Sequence, residues 1–352
     1  MIPFDGYNIS YPYESMIISM ITQMPKLYKS VRYERRALEK LIEKYQIDAV
    51  ISDNRFGFYS KQIPSVYITH QIHIEPPSNM QLLRPALSRI HKRLINKFDY
   101  CWIPDWEGEN NLAGKLSIPH PSLRGIPVIP ATPITVVPAK AGTQSLRQMA
   151  KSRDEAISSK YKNVGILSRM NMIEGIEKDL DILVVLSGPE PQRSIFEDLV
   201  IKQLRNLSAN YFIVRGLPHI SEATSVIASE AKQPPSLQGI PQDLFINHLP
   251  TDELNRYFYR AKMILARPGY STLMDLSKTG CKAVLVPTPG QTEQEYLAKY
   301  LLQKKWCYSE SQDNFNINRM IELSYDYSGI PYNEQNDVLL DQAVVQLLER
   351  VT

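Results

Sequence analysis

The sequence predicts an α/β chain of two doubly wound domains, and three observations lead there. Short apolar runs alternate with amphipathic helical stretches along most of the chain, the pattern of parallel strands covered by helices. A length of 352 residues is enough for two hydrophobic cores. In the second half, junctions 186–193, 247–251, 269–275 and 292–295 each follow a strand and open a helix. Such junctions put ligands beyond the carboxyl ends of the strands.

In the first half the predicted strand runs are 49–52, 65–69 and 100–103, with an amphipathic helix over 82–98. In the second half strand 181–187 leads to helix 192–207, then strand 211–214 follows. Strands 244–247, 263–265 and 283–286 precede helices 252–260, 273–278 and 293–303 respectively. Domain boundaries follow: an amino-terminal domain over 1–117, an insert or linker over 118–160, a second domain over 161–330, and a carboxy-terminal helix over 331–352.

Two stretches break this rhythm. Residues 118–160 and 219–241 are rich in Pro, Ser, Thr and Ala and carry no usable periodicity. They share a phrase, PSLRGIP at 121–127 and PSLQGIP at 235–241. Together with VVPAKAGTQ at 136–144 and VIASEAKQ at 226–233, this resembles translated copies of dispersed genomic repeats. The other reading is a domain linker plus a long surface loop. Either way both stretches are expected to be disordered and free of catalytic residues.

Composition narrows the function. Lys+Arg number 40 against Asp+Glu 37, a formal charge of +3 with no basic block interleaved with aromatics, so no nucleic-acid partner is implied. Cys101, Cys281 and Cys307 are far apart in sequence and odd in number, which reads as buried thiols in a reducing compartment. No apolar run is long enough to span a bilayer and the first residues are not a signal peptide, so the expected location is the cytoplasm.

The chemistry is expected at the strand–helix junctions. Gly269-Tyr270-Ser271-Thr272-Leu273-Met274-Asp275 would present free amides and the positive end of a helix dipole to an anion, with Asp275 placed for a ribose diol. The competing reading is structural, because Thr272-x-x-Asp275 also fits a capping box. Thr292-Glu293-Gln294-Glu295 has the same two readings. Ser187-Gly188 forms a third junction, and Asn247-His248 a fourth, with Thr251 as its N-cap. Asp179-Leu180-Asp181 has the spacing of a metal-binding Asp-x-Asp, but it stands at a strand start, so a solvated turn is expected and no metal site.

The run RPGYSTLMDLSKTGCKAVLVPTPGQTEQEYLA at 267–298 resembles the carboxy-terminal domain of family 28-type glycosyltransferases of the GT-B fold, which pairs two Rossmann-like domains. The resemblance extends through NVGILSRM (163–170), LSGPEPQRSIFED (186–198) and VRGLP (214–218). In the first half it takes in IDAVISDNRFGFYSKQIPSVYITHQ (47–71) and FDYCWIPDWEGENNLAGKLS (98–117). It implies a UDP-sugar donor, N-acetylglucosamine being one candidate sugar, a glycan or lipid-linked acceptor, and no cofactor or metal. Under it Arg169, Ser187 and Gly188 would hold the diphosphate with Gly269, Ser271 and Thr272. Asp275 would take the ribose, in place of the Glu more common in the family. Gln294 and Glu295 would contact the donor sugar, Glu295 departing from a common Gln, and backbone around residues 245–248, including His248, would read the uracil edge.

The resemblance also implies an amino-terminal strand and glycine-rich loop, with a catalytic base, ahead of Met1-Ile2-Pro3. The expectation is therefore an incomplete amino-terminal domain. Among the residues present, Asp53 and His70 fall just past strand ends and are the candidate bases, each also readable as a turn Asp and a satisfied half-buried His. Asp53-Asn54-Arg55 would suit a polar acceptor. The Met/Ile-rich segment 13–31, followed by Lys and Arg, reads either as a core-facing stripe or as a peripheral contact with a membrane surface. The leading expectation is a metal-independent glycosyltransferase. Its rivals are an inactive nucleotide-binding remnant and a UDP-sugar 2-epimerase on the same fold.

Overall fold

The computed structural model describes residues 16–76, 81–82, 84–119, 160–217 and 241–351. Both repeat-bearing stretches lie almost wholly outside them, as do the side chains of residues 16–24. The chain runs α1 (Met16–Tyr45), β1 (Val50–Asp53), β2 (Ser65–Ile68), α2 (Arg84–Ile95), β3 (Tyr100–Ile103), β4 (Tyr161–Asn163), β5 (Leu180–Val185), α3 (Gln192–Leu204) and β6 (Tyr211–Val214). It continues through β7 (Phe245–Ile246), α4 (Thr251–Arg260), β8 (Ala261–Ala266), α5 (Tyr270–Thr279), β9 (Ala283–Leu285), α6 (Thr292–Gln303), β10 (Tyr308–Ser309), α7 (Ile317–Ser324) and α8 (Asp337–Leu348).

These elements form two compact units, Met1–Gly165 with Gln335–Thr352, and Ile166–Glu334. The expected boundary therefore moves by a few residues: Tyr161–Asn163 pairs with β3 and completes the first sheet rather than opening the second. The two chain crossings lie side by side, since a Cβ on Gly165, at φ +72°, would meet the Asn336 carbonyl oxygen at 2.3 Å. Only glycine fits both that conformation and that approach.

The first unit holds a parallel sheet of order β1-β2-β3-β4. α1 continues through Pro25 and buries Leu38 and Ile42, one turn apart, against Val50. α2 buries Ile95 beside Tyr67, Phe98 and Cys101.

The second unit holds a six-stranded parallel sheet of order β10-β9-β8-β5-β6-β7. Its central strands, LDILVV and AKMILA, are apolar on both faces because helices cover both. α3 buries Arg193, Phe196, Glu197, Val200, Ile201 and Leu204, a regular stripe at three- and four-residue spacing that carries an ion pair within it. Phe196 stacks edge-on with Phe315 in the core against Ile182, Val184 and Leu265. Gly280, left-handed at φ +64°, ends α5.

Candidate functional site

The second sheet reverses direction once. From β5 the chain steps through α3 to β6 and β7 on one side; from β8 it steps through α5 to β9 and β10 on the other. Two crossovers leaving adjacent parallel strands in opposite directions open a crevice beyond their carboxyl ends. β5 ends there in Leu186-Ser187-Gly188, and β8 in Arg267-Pro268-Gly269. The predicted diphosphate residues thus meet at one topological point.

What each helix start carries distinguishes these junctions. Glu190 folds back onto α3, accepting from Ser194 N at 3.2 Å and Arg193 Nε at 2.6 Å, so that helix already has an anion at its head. α4 has Asp252 and Glu253 in its first turn, and α6 has Glu293 and Glu295. α5 has no acid there and no side-chain cap. Its first helical bond runs from Leu273 N to Gly269 O at 3.0 Å, which leaves the Ser271 and Thr272 amides without an intrahelical acceptor. A Cβ at Gly269 would meet nothing nearer than Thr272 Oγ1 at 3.9 Å, so a ligand has room to approach this backbone.

The capping-box reading of Thr272 and Asp275 does not survive. The helix begins at Tyr270, two residues before Thr272, and Asp275 points elsewhere. Its carboxylate accepts from Ser168 Oγ at 2.7 Å and from Arg169 Nε at 3.3 Å, while the side chain is nearly buried. Burial pushes the Asp275 carboxyl above its ordinary range, against the pull of Ser168 and Arg169. The Arg169 side chain stays 56 % exposed, with its two terminal nitrogens unpartnered among the described residues. Asp275 therefore holds a cation at the head of α5. Ser168, the other half of that clamp, carried no signal in the sequence.

Other predicted residues sit differently. α6 begins at Thr292 with Gln291 as N-cap and no side-chain cap, so the second capping box fails as well. Gln294 Oε1 instead accepts from Thr288 N and Glu295 Oε1 from Gly290 N, each at 2.9 Å, tying down the loop after β9. Gln294 is buried and Glu295 exposed. Thr251 is the first residue of α4, and Pro250 is the N-cap. On the β7 edge the Ile246 and Asn247 carbonyls already accept from Arg215 N and Leu217 N at 2.9 Å, and Ile246 and His248 are exposed. Asn247 Oδ1 is held by Arg215, which pairs with the buried Glu197 of α3.

In the first unit Asp53 ends β1 and is exposed, and half-buried His70 lies two residues beyond β2; the register sets Asp53 opposite Ile68. Both therefore occupy the carboxyl edge of that sheet. Arg55 is not open to an acceptor as expected: it is bound to the buried Glu34 at 2.6 Å, and Asn54 accepts from Tyr67. Asp179 and Asp181 lie at the opposite, amino end of β5, paired with Arg260 at 2.7 Å and Lys262 at 2.8 Å, and no cluster suited to a metal ion exists among the described residues.

The strongest feature missed in the sequence is Arg267, which is fully buried. Its guanidinium lies 4.0 Å over the Phe196 ring and donates to the Val286, Pro287 and Gln192 carbonyls and to Gln312 Oε1. All of these acceptors are neutral, and burial lowers its pKa to about 10. A cation is thus built into the floor of the switch point, with no carboxylate paired to it among the described residues.

Residues 246–328, which contain the α5 junction, match the glycosyltransferase family 28 C-terminal domain. The whole chain is similar in structure to the glycotransferase of kitacinnamycin, with 12% identity, a TM-score of 0.53, and coverage of 97% of this chain and 86% of that one. It is similar to the same degree to CalG4, the calicheamicin glycosyltransferase, with 13% identity, a TM-score of 0.53 and coverage of 97% and 86%. At such identities the likeness shows the fold, two Rossmann-like units of GT-B type. No curated protein sequence matches the chain. The matched stretch begins at Ile246 and so holds α5, the 288–290 loop and Arg267, while Ser187-Gly188 and Ser168-Arg169 lie outside it.

Among the described residues no helix is long and apolar enough to cross a membrane. Cys101, Cys281 and Cys307 are free and buried, and burial pushes the Cys101 and Cys307 thiols up to about 12, which leaves them inert.

Proposed function

We propose that the chain transfers a sugar from a uridine-diphosphate sugar to a lipid-linked or glycan acceptor without a metal ion, working in the cytoplasm or at the inner face of a membrane. The observation that carries this reading is the uncompensated head of α5 beside an arginine clamped by Asp275. The diphosphate would lie against the Ser271 and Thr272 amides and the Ser187-Gly188 turn, with the Arg169 terminal nitrogens on its oxygens. Asp275 would offer its remaining lone pairs to the ribose. Backbone at His248 would meet the base, and the amide nitrogen of Gln294, with Glu295, the sugar.

In the reaction the acceptor hydroxyl attacks the anomeric carbon, the bond from that carbon to the diphosphate oxygen breaks, and the hydroxyl proton passes to a base. His70 or Asp53 would be that base. Arg169 and the α5 amides stabilise the charge that develops on the departing UDP. For the acceptor, the first unit has a cavity of about 430 Å³ where Arg32, Arg36 and Lys97 meet Tyr28, Phe56 and Leu94. Cations over an apolar lining suit a lipid phosphate.

Calorimetric titration with UDP tests the donor site. The chain should bind UDP, and Asp275→Ala should bind it at least about tenfold more weakly, the loss expected for a hydrogen bond to a charged group. An unchanged affinity would refute the role of Asp275. Turnover of a UDP-sugar with a lipid-phosphate acceptor then separates an enzyme from a nucleotide-binding remnant.

A further inference from the structure

The loop joining β9 to α6 contains two side-chain oxygens without a hydrogen-bond partner among the described residues, Thr288 Oγ1 and Gln291 Oε1. Much of its backbone is tied. The Val286 and Pro287 carbonyls accept from Arg267 at 3.0 and 2.9 Å. The Thr288 amide donates to Gln294, its carbonyl accepts from Gln291 N at 3.0 Å, and the Gly290 amide donates to Glu295. Thr288 itself is only 3 % exposed, yet its hydroxyl has no hydrogen-bond partner among the described residues. An unpaired buried hydroxyl opposes folding, and its persistence asks for a purpose.

The direction of that hydroxyl supplies one. A Cβ placed on Gly188 would have Thr288 Oγ1 as its sole neighbour within 4 Å, at 3.7 Å. Thr288 therefore looks across the end of β8 at the Ser187-Gly188 turn. The same loop is bonded to the Arg267 guanidinium, whose hydrogen bonds all go to neutral oxygens, so the local field favours an anion. Strand order fixes which part of a sugar nucleotide reaches this point. The base edge, at β7, lies on the β6 side of β5, whereas Thr288 follows β9, on the other side of β8.

We infer that Thr288 is a ligand-binding residue whose hydroxyl donates to a non-bridging oxygen of the donor phosphate distal to the nucleoside. This rests on the donor site proposed above. The Gln291 side-chain oxygen, also unpaired, lies in the same loop, where it can accept from a hydroxyl of the attached sugar.

Thr288→Val keeps the shape and removes the hydroxyl. Calorimetry with UDP and UMP, together with the thermal midpoint, reads the result. We expect UDP to bind about tenfold more weakly and UMP within about twofold of wild type, since only UDP carries the distal phosphate. The midpoint should be unchanged or higher, because an unpaired buried group has been removed. Thr288→Ser, which keeps the hydroxyl, should retain UDP affinity within about threefold. Three results would overturn the inference: wild-type UDP affinity in Thr288→Val, equal weakening of UDP and UMP, or a lowered midpoint that reveals a structural partner. A wild-type chain that binds neither nucleotide would instead refute the donor site itself.

Discussion

The two sheets handle buried charge in opposite ways. In the first, β1-β2-β3-β4 progress in one direction without a reversal among the described residues, and the charged groups buried near their carboxyl ends are used internally. Asp105, just past β3 and fully buried, accepts from the Trp106, Leu112 and Ala113 amides and from Ser117 Oγ. Arg55 is closed by Glu34. In the second sheet the order reverses between β5 and β8, and there the Ser271 and Thr272 amides, the Arg169 terminal nitrogens and the Thr288 hydroxyl have no partner among the described residues, beside an Arg267 whose acceptors are all neutral. Buried polar groups with partners build loops; the same groups without partners, gathered at a switch point, mark where a ligand is received.

The largest effect should come from breaking the closed network. Burial pushes the Asp105 carboxyl up, and four donors pull against that. In Asp105→Asn an amide N–H₂ would face at least one of those donors. We expect a loss of about 4 kcal/mol from the first unit, the cost of breaking a buried charged network. Chemical denaturation followed by tryptophan fluorescence measures it, since Trp102 and Trp106 flank the site. At a temperature where the variant remains folded its UDP affinity should match wild type. A parallel fall in affinity would mean that the networks are not separate.

Acid offers a second, smaller way to divide the units. His91 is buried against the Phe56 ring, with Nδ1 3.4 Å from the Ile72 carbonyl, and burial lowers its pKa from 6.5 to about 4. The unfolded chain then binds more protons than the folded one between those values, so stability is full above pH 6.5 and falls as pH drops through the window. The loss should be about 2 kcal/mol between pH 7 and 5. His91→Gln, which can still donate to Ile72, should flatten this slope. A slope that persists would place the acid-sensitive group elsewhere.

Much of this organisation was legible in the sequence. Strands 100–103 and 211–214 were read residue for residue, because compact β-branched and aromatic runs flanked by polar residues have no competing period. Tyr161–Asn163 and Tyr308–Ser309 were not read: three and two half-buried residues carry no alternation. α7 also went unread, and the expected carboxy-terminal helix proved shorter, Asp337–Leu348. At the site Ser187, Gly188, Gly269, Ser271, Thr272 and Asp275 do meet at one edge. The spacing of Thr272 and Asp275 misled because a capping box is defined relative to a helix start, and sequence locates starts poorly. Arg267 and Thr288 were invisible because burial and the lack of a partner are properties of packing.

The smallest effect concerns the Asp-x-Asp at 179 and 181, the sequence feature most suggestive of a metal-dependent transferase. If it served the donor, its carboxylates would need to stand near the α5 head. Instead they occupy the amino end of β5, a strand length away from Ser187. Asp179 holds Arg260 through two hydrogen bonds, and Asp181 holds Lys262 while accepting from Asn210 N at 2.9 Å. The hydrogen bond from Arg260 keeps the Asp179 carboxyl below its usual range, and that from Lys262 does the same for Asp181. Ion pairs this exposed add little to stability and are screened by salt. Asp179→Asn should therefore leave UDP affinity, its insensitivity to a divalent-ion chelator and the thermal midpoint all at wild-type values. A chelator-dependent loss of binding abolished by this substitution would return the doublet to the chemistry, and with it a metal.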